Sequence, residues 1–121
     1  MGFKLSQIDD NIARLDLMGT FDAEDAQEYL EQVAPYFERV IALDKKLHIF
    51  IDSTQFEKLS TEGRRVFSDL NKHPAIGNLA TMGINRIYSM LARFIMIASG
   101  KNNIRFFNSE DEALTWLREA K

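Results

Sequence analysis

The chain contains no cysteine among its 121 residues. That absence excludes a disulfide framework, thiolate-bound zinc and a cysteine nucleophile together. Histidine is nearly as scarce. His48 and His73 are the only two, and neither has a second histidine or a carboxylate at metal-ligand spacing. His48 is expected as a packed strand residue and His73 as a loop residue before Pro74. No Gly-x-Ser-x-Gly elbow, Gly-rich phosphate loop or His-Glu-x-x-His occurs. No catalysis, cofactor or metal is expected. Long apolar runs are missing too: nothing approaches the roughly 18 residues needed to cross a bilayer. The start, Met1 to Asp10, develops no signal-peptide core. Gly2 and Ser6 match the loose myristoylation pattern, but the single-domain plan looks bacterial, and the cytoplasm is the expected address.

What is present suits one soluble α/β domain spanning residues 1–121. Hydrophobic residues make up 45% and charged residues 27%, and nine Phe supply bulk for a core. The net charge of −3 is unevenly spread. Residues 1–60 hold twelve acidic and six basic side chains. From Gly63 to Arg105 the only acid is Asp69, against seven basic residues, a net of +6. Such a face could attract an acidic partner or anionic headgroups; solvated helix faces and helix C-terminal charges are the plainer explanation. Nucleic acid is not expected as a partner.

Periodicity places the elements. A strand near Phe3–Gln7 and a turn at Asp9-Asp10-Asn11 precede a half-exposed strand, Ile12–Met18, ended by Gly19. Asp22 caps a helix with Glu24 and Asp25 in its first turn. Its apolar positions are Ala26, Tyr29, Leu30, Val33, Phe37, Val40 and Ile41, with Pro35 inside. Leu47–Ile51 reads as a buried strand ended by Asp52, which argues for a mostly parallel sheet. Ser60 or Thr61 caps a helix stopped by Pro74. A strand at 78–84, a helix Arg86–Ser99 capped by Asn85 and stopped by Gly100, and a strand Asn103–Phe107 follow. Ser109-Glu110-Asp111-Glu112 opens the last helix as a capping box. The order is β-β-α-β-α-β-α-β-α, a mostly parallel sheet with an N-terminal antiparallel strand.

This order, with Gly19-Thr20-Phe21-Asp22-Ala23-Glu24-Asp25, Ile49-Phe50-Ile51-Asp52 and the closing Phe106-Phe107-Asn108-Ser109, resembles the STAS domains. The likeness is to their divergent anti-sigma-factor-antagonist-like branch, sometimes grouped with CRAL-TRIO lipid-binding domains. The resemblance implies a non-catalytic regulatory module whose partner is a kinase-like anti-sigma factor. It also implies a regulatory Asp-Ser-Ser-Gly at a helix start after the central strand, with a serine accepting phosphate. The corresponding tetrad is Ser60-Thr61-Glu62-Gly63. Gly63 is retained, but Glu62 stands at the acceptor position, offering about −1 charge against about −1.5 to −2 for a phosphate. The resemblance therefore implies a scaffold whose switch is altered or lost.

Two addresses stand out. Asp52, Ser53, Thr54, Ser60, Thr61, Glu62 and Gly63 fall in an expected loop beyond the carboxyl end of the central strand, where partners of α/β sheets meet the fold. Docking and simple helix capping are both open for it. The second is the Arg86–Ser99 helix. Ile87, Leu91, Phe94, Ile95 and Ala98 would form one face, and Tyr88, Met90 and Ile97 extend the apolar surface around the cylinder. Burial in the core, contact with a partner or a homodimer mate, and one wall of a pocket for a small apolar or anionic, lipid-like ligand are the three readings. Arg86 and Arg93 would suit a membrane surface.

Overall fold

The computed structural model describes residues 2–83 and 86–120, with side chains given outside 86–88. A two-residue turn at Asp10-Asn11 joins β1 (Phe3–Asp9) to the antiparallel β2 (Ile12–Phe21), with Phe3 opposite Leu17 and Leu5 opposite Leu15. Then come α1 (Ala23–Ala42), β3 (Leu47–Leu59), α2 (Thr61–Asn71), β4 (Ile76–Met82), α3 (Arg86–Ser99), β5 (Ile104–Phe107) and α4 (Glu110–Glu119). The fold class and element order are those expected from the sequence.

The sheet order is β1-β2-β3-β4-β5, with β2 to β5 parallel. Every crossover therefore steps the same way along the sheet. Because such crossovers are right-handed, α1, α2 and α3 must all fall on one face. Ala13, Leu15 and Leu17 of β2 and Leu47 and Ile49 of β3 meet Ala26, Tyr29, Val33, Phe37 and Val40 of α1 there. Phe3, Phe21, Tyr29 and Phe67 form its aromatic centre, with ring centroids 5.0 to 6.1 Å apart. These are tilted or edge-on arrangements, which aromatic quadrupoles favour. The opposite face carries α4, whose Ala113 and Leu117 cover Ile12, Phe50 and Ala80.

Local chemistry sets the helix starts. Asp22 accepts from the Asp25 N–H at 2.9 Å, and Asp25 reaches back to the Asp22 N–H at 3.1 Å, a closed capping box. Burial would raise the Asp25 pKa, but the N–H groups of Gly2 and Asp22 outweigh it and hold it below the usual range. Ser60 and Ser109 accept the N–H groups of Gly63 and Glu112 to cap α2 and α4, and the box expected at Ser109–Glu112 is present only in this half. Helix α1 continues through Pro35 because that residue lies on the exposed side, where the carbonyl it leaves free can meet water.

Several expected boundaries are corrected. Gly19 does not end β2: at φ +62 it is passed through, and the strand runs to Phe21. Asp52 does not end β3, which continues to Leu59 beside β2. β4 starts at Ile76 and stops at Met82, β5 starts at Ile104, and α2 ends at Asn71, before Pro74. The expected Asn85 cap lies outside the described residues. Leu30 and Ile41, expected on the buried face of α1, are exposed.

The polar interior is small. Asn71 and Asn103 exchange side-chain hydrogen bonds at 2.8 and 3.2 Å, and Asn103 also donates to the Gly77 carbonyl at 2.7 Å. Asn71 donates to Ser99 Oγ at 2.8 Å, so one buried cluster joins α2, α3, β4 and the entry to β5. His48 is fully buried. Its Nδ1 accepts the Asn78 N–H at 2.8 Å, while Nε2 has no hydrogen-bond partner among the described residues. Burial, then repulsion from Lys46, lowers its pKa from the ordinary 6.5. The folded state thus binds fewer protons than the unfolded chain below that value. The stability this group contributes is complete above pH 6.5 and lost as pH falls through the folded pKa. We expect the melting temperature to fall between about pH 7 and pH 5, and His48→Asn, which keeps an acceptor without titrating there, to flatten that slope. Equal slopes for the two proteins would assign the effect to other groups.

Candidate functional site

The expected loop 52–62 is mostly strand. β3 pairs with β2 at Asp16↔Asp52, Met18↔Gln55, Gly19↔Phe56, Thr20↔Lys58 and Phe21↔Leu59. Between these pairs β3 twice carries one residue more than β2, so two bulges shift its side-chain alternation. Ser53, Phe56 and Leu59, three residues apart, consequently turn inward together.

The seven candidate residues of this segment separate. Asp52 accepts from Thr54 N at 3.1 Å, from Thr54 Oγ1 at 2.7 Å and from Arg14 Nη2 at 3.2 Å. Arg14 also pairs with Asp16 and Glu110 and lies 5.1 Å over the Phe50 ring. Burial alone would lower the Arg14 pKa, but its bonds to Glu110 and Asp16 raise it. Asp52 and Thr54 therefore brace the sheet. Gly83 packs on Thr54: at φ +79, a Cβ there would lie 2.8 Å from the Thr54 backbone nitrogen. Ser53 is buried.

Ser60, Thr61, Glu62 and Gly63 form the start of α2. Ser60 Oγ accepts the Gly63 N–H at 3.0 Å. A Cβ on Gly63 would stand 2.7 Å from Phe21 and 2.8 Å from Leu59, so only glycine lets the helix sit this close to both strands. Thr61, Glu62, Arg64 and Arg65 are exposed around that fixed base, with Glu62 and Arg65 3.6 Å apart. An exposed pair of this kind adds little stability.

The second candidate group also separates. Among the described side chains of α3, Ala92 and Ile95 are buried, packing with Leu91 and Met96 toward Phe67, Leu79 and Ile104. Phe94 and Ala98 face solvent, contrary to the face expected for them. Met90, Phe94 and Ile97 form an outward stripe, 66%, 57% and 75% exposed. The side chains of Ile87 and Tyr88 lie outside the described residues. Of the basic excess, Arg64, Arg65, Lys72, Arg93 and Arg105 are exposed, Arg105 lying over the Trp116 ring, whereas Lys101 donates to the His73 carbonyl.

Because α3 rests mainly on α2 and β5, the sheet beneath it is incompletely filled. A cavity of about 90 Å³, partly open to solvent, remains between β3, β4 and helices α1 to α3. Ser53 and Leu91 line it, together with Thr81, Tyr29, Phe67 and Asn71, which sequence reasoning had not placed in any site. The signal that could have found them is polar residues at inward-facing positions: Asn71 beside Leu70, and Thr81 two residues beyond Leu79. Among the described residues no cluster of His, Asp and Glu could hold a metal, and no helix is long and apolar enough to cross a membrane.

A family model described as a domain of unknown function, DUF7793, matches residues 18–121. The chain belongs to that family. No curated protein matches it. Among solved structures it is similar to the anti-sigma factor antagonist SpoIIAA in its unphosphorylated form, with a TM-score of 0.65 and 14% identity over 97% of this chain and 98% of that one. A DUF3478-family protein with a SpoIIAA-like fold, from Shewanella loihica PV-4, matches at TM-score 0.63 and 22% identity, over 95% and 91%. The NMR structure of the protein TM1081 matches at 0.63 and 18%, over 97% and 87%. The STAS-like fold is shown by these likenesses.

Asp52→Ala strips an acceptor from Thr54 and a partner from the half-buried Arg14, and should cost about 1–2 kcal/mol in urea denaturation. Thr61→Arg, at an exposed position, should stay within about 0.5 kcal/mol of the parent.

Proposed function

We propose that this chain is a non-catalytic regulatory module that docks another protein through the start of α2 and the adjoining end of β3. The observation that carries the reading is the construction of that helix start. Gly63 and Ser60 fix its base against Phe21 and Leu59, while Thr61, Glu62, Arg64 and Arg65 stand outward around it. A rigid base with an exposed polar rim suits recognition, because little order has to be imposed on binding. The fold shared with SpoIIAA, an anti-sigma factor antagonist, supports a kinase-type anti-sigma factor as the partner class. Glu62 supplies a fixed negative charge near the helix N-terminus, where the dipole favours it. Thr61 offers the neighbouring exposed hydroxyl for a phosphate.

A second reading, binding of a small ligand beside α3, is supported by the cavity lined by Ser53, Thr81 and Leu91.

The docking test is binding of the purified protein to kinase-type anti-sigma factors from its own genome, measured by calorimetry. We expect one to bind the parent, Thr61→Arg to weaken it at least tenfold, about 1.4 kcal/mol, and both proteins to melt alike. Undiminished binding by Thr61→Arg would remove α2 from the interface, and no binding by the parent would reject the partner class.

A further inference from the structure

The cavity under α3 has an unusual combination of walls. None of its lining residues carries a charge, and most are aliphatic or aromatic. Three hydroxyl-bearing residues nevertheless line it, Tyr29, Ser53 and Thr81, which are 1%, 5% and 4% exposed. Burial holds the Tyr29 phenol protonated well above its ordinary range. Among the described residues the buried side-chain atom left without a hydrogen-bond partner is His48 Nε2, so none of these three hydroxyls is sealed off unpaired. A hydroxyl at a cavity wall can both donate to and accept from a molecule held there. Asn71, the other polar residue of the lining, is already committed to Ser99 and Asn103.

Ser53 and Thr81 come from neighbouring strands on the same face, since Ile51 is the register partner of Thr81 and Ser53 follows it by two residues. Thr81 lies next to the carboxyl end of β4, and Ser53 at the middle of β3, one residue past its last β4 partner, Asp52. The far end of α3 is pinned by the Asn71, Ser99 and Asn103 cluster, so the cavity is bounded by fixed elements there.

We infer that this cavity binds an uncharged small molecule by a compact apolar group carrying one hydrogen-bonding oxygen, which Ser53 and Thr81 receive. This deepens the second reading above and sharpens it: an anionic group has no cation to meet among the lining residues, and desolvating a charge there would cost several kcal/mol. Size sets a further limit. An apolar cavity of about 150 Å³ accepts benzene, so about 90 Å³ takes a group of smaller bulk, such as a short alkyl chain, with the remainder of the molecule at the open side.

Methyl NMR titration with 1-butanol and with butyrate tests this directly, with Ile49, Leu79, Leu91 and Ile95 as reporters. Butanol should shift these methyls saturably in the millimolar range, and butyrate at least tenfold more weakly. Ser53→Ala with Thr81→Val should weaken butanol about threefold to tenfold while leaving xenon uptake at the cavity, read from pressurised crystals, unchanged. Ala92→Leu should fill the space and abolish both, with a melt to confirm folding. Butyrate binding as well as butanol would overturn the uncharged class. Unchanged butanol affinity in the double variant would overturn the hydroxyl role. Absence of both xenon and saturable butanol shifts would show a cavity that holds water only. None of these outcomes touches Thr61, so failure here and failure of α2 docking are separately visible.

Discussion

The parallel pairing of β2 with β3 beyond Asp52 is the constraint on which the candidate sites depend. It carries the chain as strand to Leu59 and turns Ser53, Phe56 and Leu59 inward. It also delivers Ser60 to the point where its hydroxyl caps α2, and it positions Phe21 and Leu59 as the floor for Gly63. A flexible loop in place of this strand would leave the α2 start unfixed and the cavity without one wall. The Asp52 to Thr54 and Arg14 bonds hold the place where the strand passes beyond its β4 neighbour.

The unidirectional strand order has a second consequence. With three crossovers stepping the same way, three helices share one face and a single helix covers the other. There is no reversal of strand order, hence none of the crevice that such a reversal opens in doubly wound folds. Space for a ligand arises differently, from a third helix that leans on α2 and β5 rather than on the middle of the sheet. The Asn71–Asn103 pair sets that lean. It joins the end of α2 to the approach of β5, and through Ser99 to the end of α3.

Much of this was legible in the sequence. Asp22 with Asp25, Ser60 and Ser109 announce three helix starts through backbone donors that only such side chains satisfy. Leu47 to Ile51 announced a strand buried on both faces. The stretch after it did not read as strand because two bulges change its inward spacing from two residues to three, erasing the alternation that marks a strand. Helix α3 misled for another reason. Its apolar residues encircle the cylinder, so composition cannot tell which side meets the core, and Phe94 was placed inward when Ala92 lies there.

The sequence by itself determined the element types, their order, the N-caps of α1, α2 and α4 and the absence of cysteine chemistry, because these follow from local backbone demands and side-chain inventory. Tertiary structure alone decided that Asp52 and Thr54 brace the sheet, that Ser53 faces a cavity, and that Asn71 meets Asn103 across 32 positions of chain. Those outcomes depend on register and on the side from which α3 approaches, and both are set by neighbours distant in sequence.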